Sequence, residues 1–234
     1  MQIYGFQKST LLDYPNHLAC TIFTSSCNFR CPFCHNASLV LQPQNFITIE
    51  ESEVFNYLKK RSDILEGVCI TGGEPTLQPN LIPFIKKIKQ LSYQVKLDTN
   101  GYRPDILQQL LAENLVDYIA MDIKNSPQNY GKTCGLSTFD FTRVEQSVDL
   151  LKNSTIPHEF RTTVVKEYHT IEDMIAISSW LPPSSLYFIQ SYEESPDILI
   201  KGLHSHTKDT LITFLQVTQQ KLPLAKLRGI AYEN

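Results

Sequence analysis

Three thiols fall within the run Cys27-Asn28-Phe29-Arg30-Cys31-Pro32-Phe33-Cys34. Their spacing is C-x3-C-x2-C, and the run follows a short apolar segment that reads as a strand. Cysteine is rare and chiefly a buried residue, so this crowding calls for a chemical reason. Thiolates are soft ligands that favour zinc, copper(I) or iron–sulfur clusters. A structural zinc site takes four ligands, and only three cysteines are present. A cubane cluster has four irons, so three cysteines leave one iron open. Two alternatives stand beside the cluster. His35 could complete a Cys3His zinc site, although chelation by adjacent Cys34 and His35 is strained. The thiols could also be unmetallated. The spacing favours iron–sulfur.

Five further features carry polar chemistry: Gly72-Gly73-Glu74-Pro75, Asp98-Thr99-Asn100-Gly101, Asp122-Ile123-Lys124, Arg161 and Gln190. Each alone has an ordinary explanation as a tight turn, a solvated charge pair or a polar strand residue. Their shared placement is the informative point. All five lie at or near the C-terminal end of an expected strand, the edge on which barrel folds build their sites.

The elements that must position these residues alternate. Strands are expected over Leu18 to Thr24, Gly67 to Thr71, Gln94 to Asp98, Tyr118 to Asp122, Glu159 to Val165 and Leu186 to Gln190, from their short apolar and β-branched runs. Helical periodicity falls between them. Thr48-Ile49-Glu50-Glu51 has a capping-box pattern ahead of Val54, Phe55 and Leu58. Leu81, Ile82, Ile85 and Ile88 mark a second helix. Pro104 suits the first turn of a third. Helices follow near Val144 to Leu151, over Thr170 to Leu181 and over Lys208 to Gln220. Strands alternating with helices imply a parallel sheet with helices outside. Six repeats fall short of the eight of a closed barrel. The expected fold is therefore α/β, a partial (open) TIM-like (β/α)6 barrel of parallel strands, as one domain over residues 1–234.

Composition bounds the partners. The chain has 234 residues, 42% of them hydrophobic, enough for a substantial core. Lys and Arg total 21 against 24 for Asp and Glu, a formal net charge of -3. That balance supplies no basic field for nucleic acid or anionic lipid. No run approaches the ~18 apolar residues of a membrane span. The first residues lack the basic-then-apolar design of a signal peptide. Six cysteines are too sparse for a disulfide scaffold. The expectation is a soluble, cytoplasmic protein with reduced thiols and neither nucleic-acid nor membrane partner.

The cysteine loop resembles the C-x3-C-x-aromatic-C signature of radical S-adenosylmethionine (SAM) enzymes, with Phe33 at the aromatic position. That resemblance implies a [4Fe-4S] cluster on Cys27, Cys31 and Cys34, with SAM chelating the open iron. It implies reductive cleavage of SAM to a 5'-deoxyadenosyl radical. The resemblance assigns Gly72, Gly73 and Glu74 to the motif that holds the methionyl amine, and Asp98 and Asp122 to a monovalent cation beside SAM. Lys124 and Arg161 would meet the SAM carboxylate, and Gln190, or less favourably Tyr192, the adenosyl group. Phe33, His35 and Asn100 would complete the cofactor pocket.

The resemblance spans nearly the whole chain. The opening Gly5-Phe6-Gln7-Lys8-Ser9-Thr10-Leu11-Leu12-Asp13-Tyr14-Pro15, the Cys27 to Asn36 core and the late Leu227-Arg228-Gly229 resemble anaerobic ribonucleoside-triphosphate reductase activating proteins. These generate a glycyl radical on a partner enzyme and draw electrons from a flavodoxin- or ferredoxin-type donor. Two positions depart: Asn16 and Ser26 stand where that family usually has glycine. Asn tolerates positive φ, and neither change removes a ligand. No second C-x2-C pair is present, so one cluster is expected. Two other readings stay open, a radical SAM enzyme with a small-molecule substrate and a zinc-stabilised binding protein without activity. Cys20 and Cys69 are expected in the core, Cys134 in a loop, and His204 and His206 in solvent.

Overall fold

A computed structural model describes residues 1–229. The six expected strands form, and one further strand is added at each edge. The strands are β1 (Ile3–Thr10), β2 (Ala19–Thr24), β3 (Gly67–Gly72), β4 (Gln94–Thr99), β5 (Tyr118–Asp122), β6 (His158–Val164), β7 (Tyr187–Ser191) and β8 (Lys226–Arg228). They lie in the order β1 to β8 in one sheet. From β2 to β8 all pairings are parallel, while β1 runs antiparallel to β2. Among the described residues β8 does not pair with β1, so the barrel is open. The expected open (β/α)6 barrel is present as β2 to β7, each followed by a helix, with the short parallel β8 and the antiparallel β1 added at its edges.

The helices are α1 (Ala37–Leu41), α2 (Glu51–Lys60), α3 (Leu81–Gln90), α4 (Pro104–Ala112), α5 (Tyr130–Thr133), α6 (Thr142–Lys152), α7 (Ile171–Trp180) and α8 (Lys208–Gln219). Helix α7 has a capping box between Thr170 and Asp173. The box expected at Thr48 does not form. Helix α2 starts at Glu51 behind Glu50, which makes no side-chain cap. None of the described helices is long and apolar enough to cross a membrane.

Period-two alternation divides each strand between two environments. Val95 and Leu97, Ile119 and Met121, and Phe160 and Val164 join the apolar layer under the helices. The intervening residues, Lys96 and Asp98, Tyr118 and Asp122, and Glu159 and Arg161, face the barrel interior. This register brings Asp98 opposite Ala120, Asp122 opposite Arg161 and Thr163 opposite Gln190. The polar residues therefore accumulate inside: Asp98 and Asp122 stand at the C-terminal ends of β4 and β5, whereas Arg161, expected near such an end, sits in the middle of β6 and level with Asp122.

The opening motif closes the other end. Tyr14 is buried, and a Cβ on Gly67 would press into its ring at 2.7 Å. The Thr21 hydroxyl donates to Asp13 at 2.5 Å. Asn16 has φ 62, the left-handed turn expected of a glycine surrogate, and Ser26 has φ 64. Leu11 and Leu12 are exposed at the tip.

Candidate active site

A cavity of about 320 Å³ opens at the C-terminal strand ends. It is lined by Cys31, Phe33, Cys34 and His35 from the cysteine loop, and by Gly72, Gly73, Glu74, Asp98, Asn100, Asp122, Lys124, Arg161 and Gln190 from the strand ends. Cys27 is absent from the lining, but its sulfur sits 3.7 Å from the Asn100 side-chain amide. All the residues singled out in the sequence thus converge on one place.

Two glycines make the convergence possible. Gly72 has φ 111, and a Cβ there would collide with the Thr24 backbone; a Cβ on Gly73 would collide with the Ser26 carbonyl. The loop after β3 can therefore press on the start of the cysteine loop. Gly73 N–H donates to the Thr24 carbonyl at 2.8 Å and Glu74 N–H to the Ser26 carbonyl at 2.7 Å. Asn36, which the sequence reading did not single out, donates to the Gly72 carbonyl at 2.9 Å.

The Glu74 side chain faces inward rather than into the cavity. It is 1% exposed and accepts from Thr76 N–H, the Thr76 hydroxyl, the Thr99 hydroxyl and Asn100 N–H. Burial pushes its carboxyl up, against these four donors. Glu74 is thus a brace between the loop after β3 and the end of β4.

Charges across β4, β5 and β6 form a continuous ladder. Lys96 pairs with Asp98. Arg161 bonds Asp98 at 3.0 Å and Asp122 at 2.5 Å, and Lys124 bonds Asp122 at 2.8 Å. Burial alone would raise both carboxyls. Arg161 with Lys96 at Asp98, and Arg161 with Lys124 at Asp122, outweigh it and hold both below the usual range. Lys96 has only 3% of its side chain exposed and was unremarked in the sequence. Asp98 and Asp122 are therefore held by cations of the chain itself; the sequence offered the Asp122–Lys124 pair, but not the parts played by Lys96 and Arg161.

The thiols differ in setting. Burial, with Glu74 adding, pushes Cys27 up to about 12, while the Phe29 N–H donates to its sulfur at 3.3 Å. Cys31 is held below the ordinary thiol value by a hydrogen bond from Cys134 and, against its burial, by Lys124. Cys134 is fully buried against the cysteine loop, its carbonyl accepting the Arg30 N–H at 2.8 Å. Cys134 thus lies in the turn after α5, in a loop as expected, but buried rather than as a surface thiol. Gly135 permits the approach, since any Cβ there would meet the Arg30 carbonyl. Cys20 joins the apolar layer as expected. Cys69 is fully buried, also as expected, and lies 3.9 Å from Asp98 and 3.8 Å from Lys96.

His35 is held by the segment after β7. Its Nε2 bonds the Glu193 carbonyl at 2.8 Å, and its ring stacks on buried Tyr192. Among the described residues no three Cys, His, Asp or Glu groups converge on a point that would hold a single metal ion. Three soft thiols in one loop, with amide donors near the sulfurs, fit a cluster whose cysteines bind different irons. His204 bonds exposed Glu167, in keeping with a solvent site, whereas His206 packs on Phe214 and is half-buried.

Fold and site together define an open α/β barrel with a three-thiol loop and a charged cavity at its C-terminal mouth. The family model of the radical SAM superfamily matches residues 21–181. This chain belongs to the radical SAM superfamily, and it is a radical SAM enzyme; the family implies a [4Fe-4S] cluster and SAM. A protein of Methanocaldococcus jannaschii named for glycyl-radical enzyme activation is 32% identical over 197 residues, covering 82% of this chain and 80% of the relative. A protein of Thermococcus kodakarensis named as a GTP 3',8-cyclase is 30% identical over 61% of this chain, but over only 46% of its own length. Streptococcus suis SuiB, solved with its precursor peptide SuiA, matches in fold with a TM-score of 0.69 at 15% identity, over 89% of this chain and 48% of SuiB. The structure of anSMEcpe with bound AdoMet matches at 0.60 and 19% identity, over 84% of this chain and 58% of that chain.

Proposed function

We propose that this protein is an activase that generates a glycyl radical on a partner enzyme, of the anaerobic ribonucleoside-triphosphate reductase type. The observation that carries this reading is the similarity to the M. jannaschii protein, which runs over four fifths of both chains. When bound, the cluster and SAM supply a radical able to abstract hydrogen, and the chain supplies position, charge and shelter.

In this reading Cys27, Cys31 and Cys34 hold the cluster. The Gly72–Glu74 backbone, steadied by Asn36, accepts the SAM ammonium. The ladder carries three cations against two carboxylates, and its surplus positive charge at the Lys124 end suits the SAM carboxylate. Gln190 faces the adenosyl group, and Phe33 and His35 wall the pocket. Asn100 ties the cysteine loop to the end of β4 through a 2.8 Å bond to Asn28. A glycine-bearing loop of the partner enters at the open mouth, and a flavodoxin- or ferredoxin-type protein of the cytoplasm supplies the electron.

A second reading, a small-molecule substrate, is favoured by the partial similarity to the GTP 3',8-cyclase. Electron paramagnetic resonance separates the two. Reconstituted, reduced protein mixed with SAM and a glycyl-radical enzyme should give a glycyl doublet on the partner. SAM cleavage without a doublet on any candidate partner would favour the small-molecule reading.

A further inference from the structure

Asp98 and Asp122 are the oxygen donors that the family resemblance assigns to a monovalent metal ion beside SAM. In this chain all four of their carboxylate oxygens are already engaged. Asp98 Oδ1 meets the Lys96 ammonium. Asp98 Oδ2 accepts from Arg161 at 3.0 Å and from the Thr71 hydroxyl at 3.2 Å. Asp122 Oδ1 accepts from Arg161 Nε at 2.5 Å, and Oδ2 from Lys124 at 2.8 Å. Three fixed positive charges thus face two negative ones in a partly buried cavity. Lone pairs remain open on Asp122, but a metal cation entering there would add a fourth positive charge beside two carboxylates already outnumbered by cations, and partial burial strengthens the repulsion.

Lys96 is the distinctive element. It arises two residues before Asp98 on β4, so the pleat places both on the barrel interior. Its side chain is 3% exposed, and a buried ammonium is tolerated only when paired. Among the described residues its one carboxylate partner is Asp98, with the Cys69 sulfur 3.8 Å away. An apolar side chain of the same length would leave Asp98 Oδ1 without a cation. Lys124 and Arg161 would still cover Asp122.

We propose that the Lys96 ammonium, together with the Arg161 guanidinium bridging Asp98 and Asp122, takes the place of a monovalent metal ion, so that this enzyme binds SAM without an alkali cation. The inference rests on these strand ends being the SAM site. Its first test does not, because it measures cation uptake without SAM.

Thallous ion, a probe of potassium and sodium sites, is titrated into cluster-loaded full-length protein and followed by thallium NMR. The wild type should show no saturable uptake, and Lys96→Met should take up one ion per chain. Saturable uptake of one ion by the wild type, abolished by Asp98→Asn, would overturn the proposal. A folded Lys96→Met protein, judged by its melting curve, that takes up no ion would overturn the role of Lys96.

The second test is calorimetric. Wild-type affinity for SAM should be equal in choline, sodium and potassium chloride at one ionic strength. In choline, Lys96→Met should bind about tenfold more weakly, as a buried carboxylate short of its partner requires, and potassium should restore the affinity. Potassium dependence of the wild type would refute the proposal. If Lys96→Met fails to fold, the wild-type titrations decide alone. Absence of SAM binding in every salt would count against the site assignment, and thallous uptake would still judge the cation inference.

Discussion

The Glu74 carboxylate accepts the Asn100 backbone N–H at 2.7 Å, which fastens the loop after β3 to the end of β4. The other Glu74 oxygen accepts from Thr76 and Thr99. The acid therefore sets the distance between two walls of the cavity without touching what the cavity holds. Glu74→Gln replaces one acceptor oxygen by an amide that can only donate. At a fully buried site this should cost about 1–3 kcal/mol of stability. SAM affinity should fall as well, because the carbonyls of Gly72 and Gly73 lose their support. Thermal melts and calorimetry check both effects; a variant with wild-type values in both would show that the brace is dispensable.

His169 supplies a pH dependence that the sequence did not suggest. Its ring is 1% exposed, edge-on to Phe33. Nδ1 accepts the Val165 N–H at 3.0 Å, which leaves Nε2 as the donor to the Lys124 carbonyl at 2.9 Å. The ring thus holds the chain at Lys124 in its neutral form. Burial pushes its pKa below the ordinary imidazole value, more than the carbonyls of Lys124 and Val165 raise it. The unfolded chain then binds the proton more readily than the folded one. This contribution to stability is full above the ordinary value near pH 6.5 and is lost as pH falls below it. The slope has a ceiling of about 1.4 kcal/mol per pH unit. Melting temperatures of cluster-loaded protein should fall with acidification in that window, and His169→Gln should flatten the fall. Equal slopes for both proteins would remove His169 as the cause.

Much of the site was readable because chemistry and periodicity coincide in these segments. The thiol spacing is local, and the strands β2 to β7 carry apolar runs long enough to declare themselves. The edges were not readable for physical reasons. Strand β1 exposes Gln7 to Ser9 along a polar stretch, and β8 spans only three residues. Thr48 has the right neighbours for a cap, but Ile49 is drawn into a bridge with Ile3, and the helix begins later. The charge ladder depends on which strands lie side by side. Lys96 reads in sequence as an ordinary strand residue, and nothing local reveals that Arg161 will bridge two aspartates. Cys134 is invisible for the same reason, since 103 residues separate it from Cys31 and only the fold brings them together.

Four cysteines thus lie in or against the loop, while the proposed ligand set contains three. Cys134 is held as a thiol by burial and by the neighbouring Cys31, to which it is hydrogen-bonded. If it only supports the loop, Cys134→Ala should retain the full iron and acid-labile sulfide content, with a stability loss of about 1 kcal/mol from the small cavity. Cys27→Ala, Cys31→Ala and Cys34→Ala should each lose most of the iron after anaerobic reconstitution. Iron and sulfide assays on the four variants check this. Loss of iron from Cys134→Ala equal to that of Cys31→Ala would make Cys134 a ligand and close the vacancy that SAM requires.

Arg228 explains how so short a strand as β8 stays on the sheet. Its guanidinium binds both oxygens of Glu159, at 2.8 and 3.0 Å, and lies 3.6 Å from the centre of the Phe188 ring. Glu159 is almost completely buried and also accepts the Tyr118 hydroxyl at 2.8 Å. Two residues further along β6 stands Arg161, so this clamp forms the layer beneath the charge ladder. Removing the guanidinium leaves a buried carboxylate unpaired, which costs about 3–5 kcal/mol. Arg228→Met should lower the melting temperature by roughly 10 °C, given about 2–4 °C per kcal/mol for a chain of this size. The double variant Glu159→Gln with Arg228→Met removes the stranded charge and should recover most of that loss. Because Arg228 does not line the cavity, SAM affinity measured well below the melting point should stay near the wild-type value in both. A double variant no more stable than Arg228→Met would mean that the arginine acts through its packing on Phe188, not through its charge.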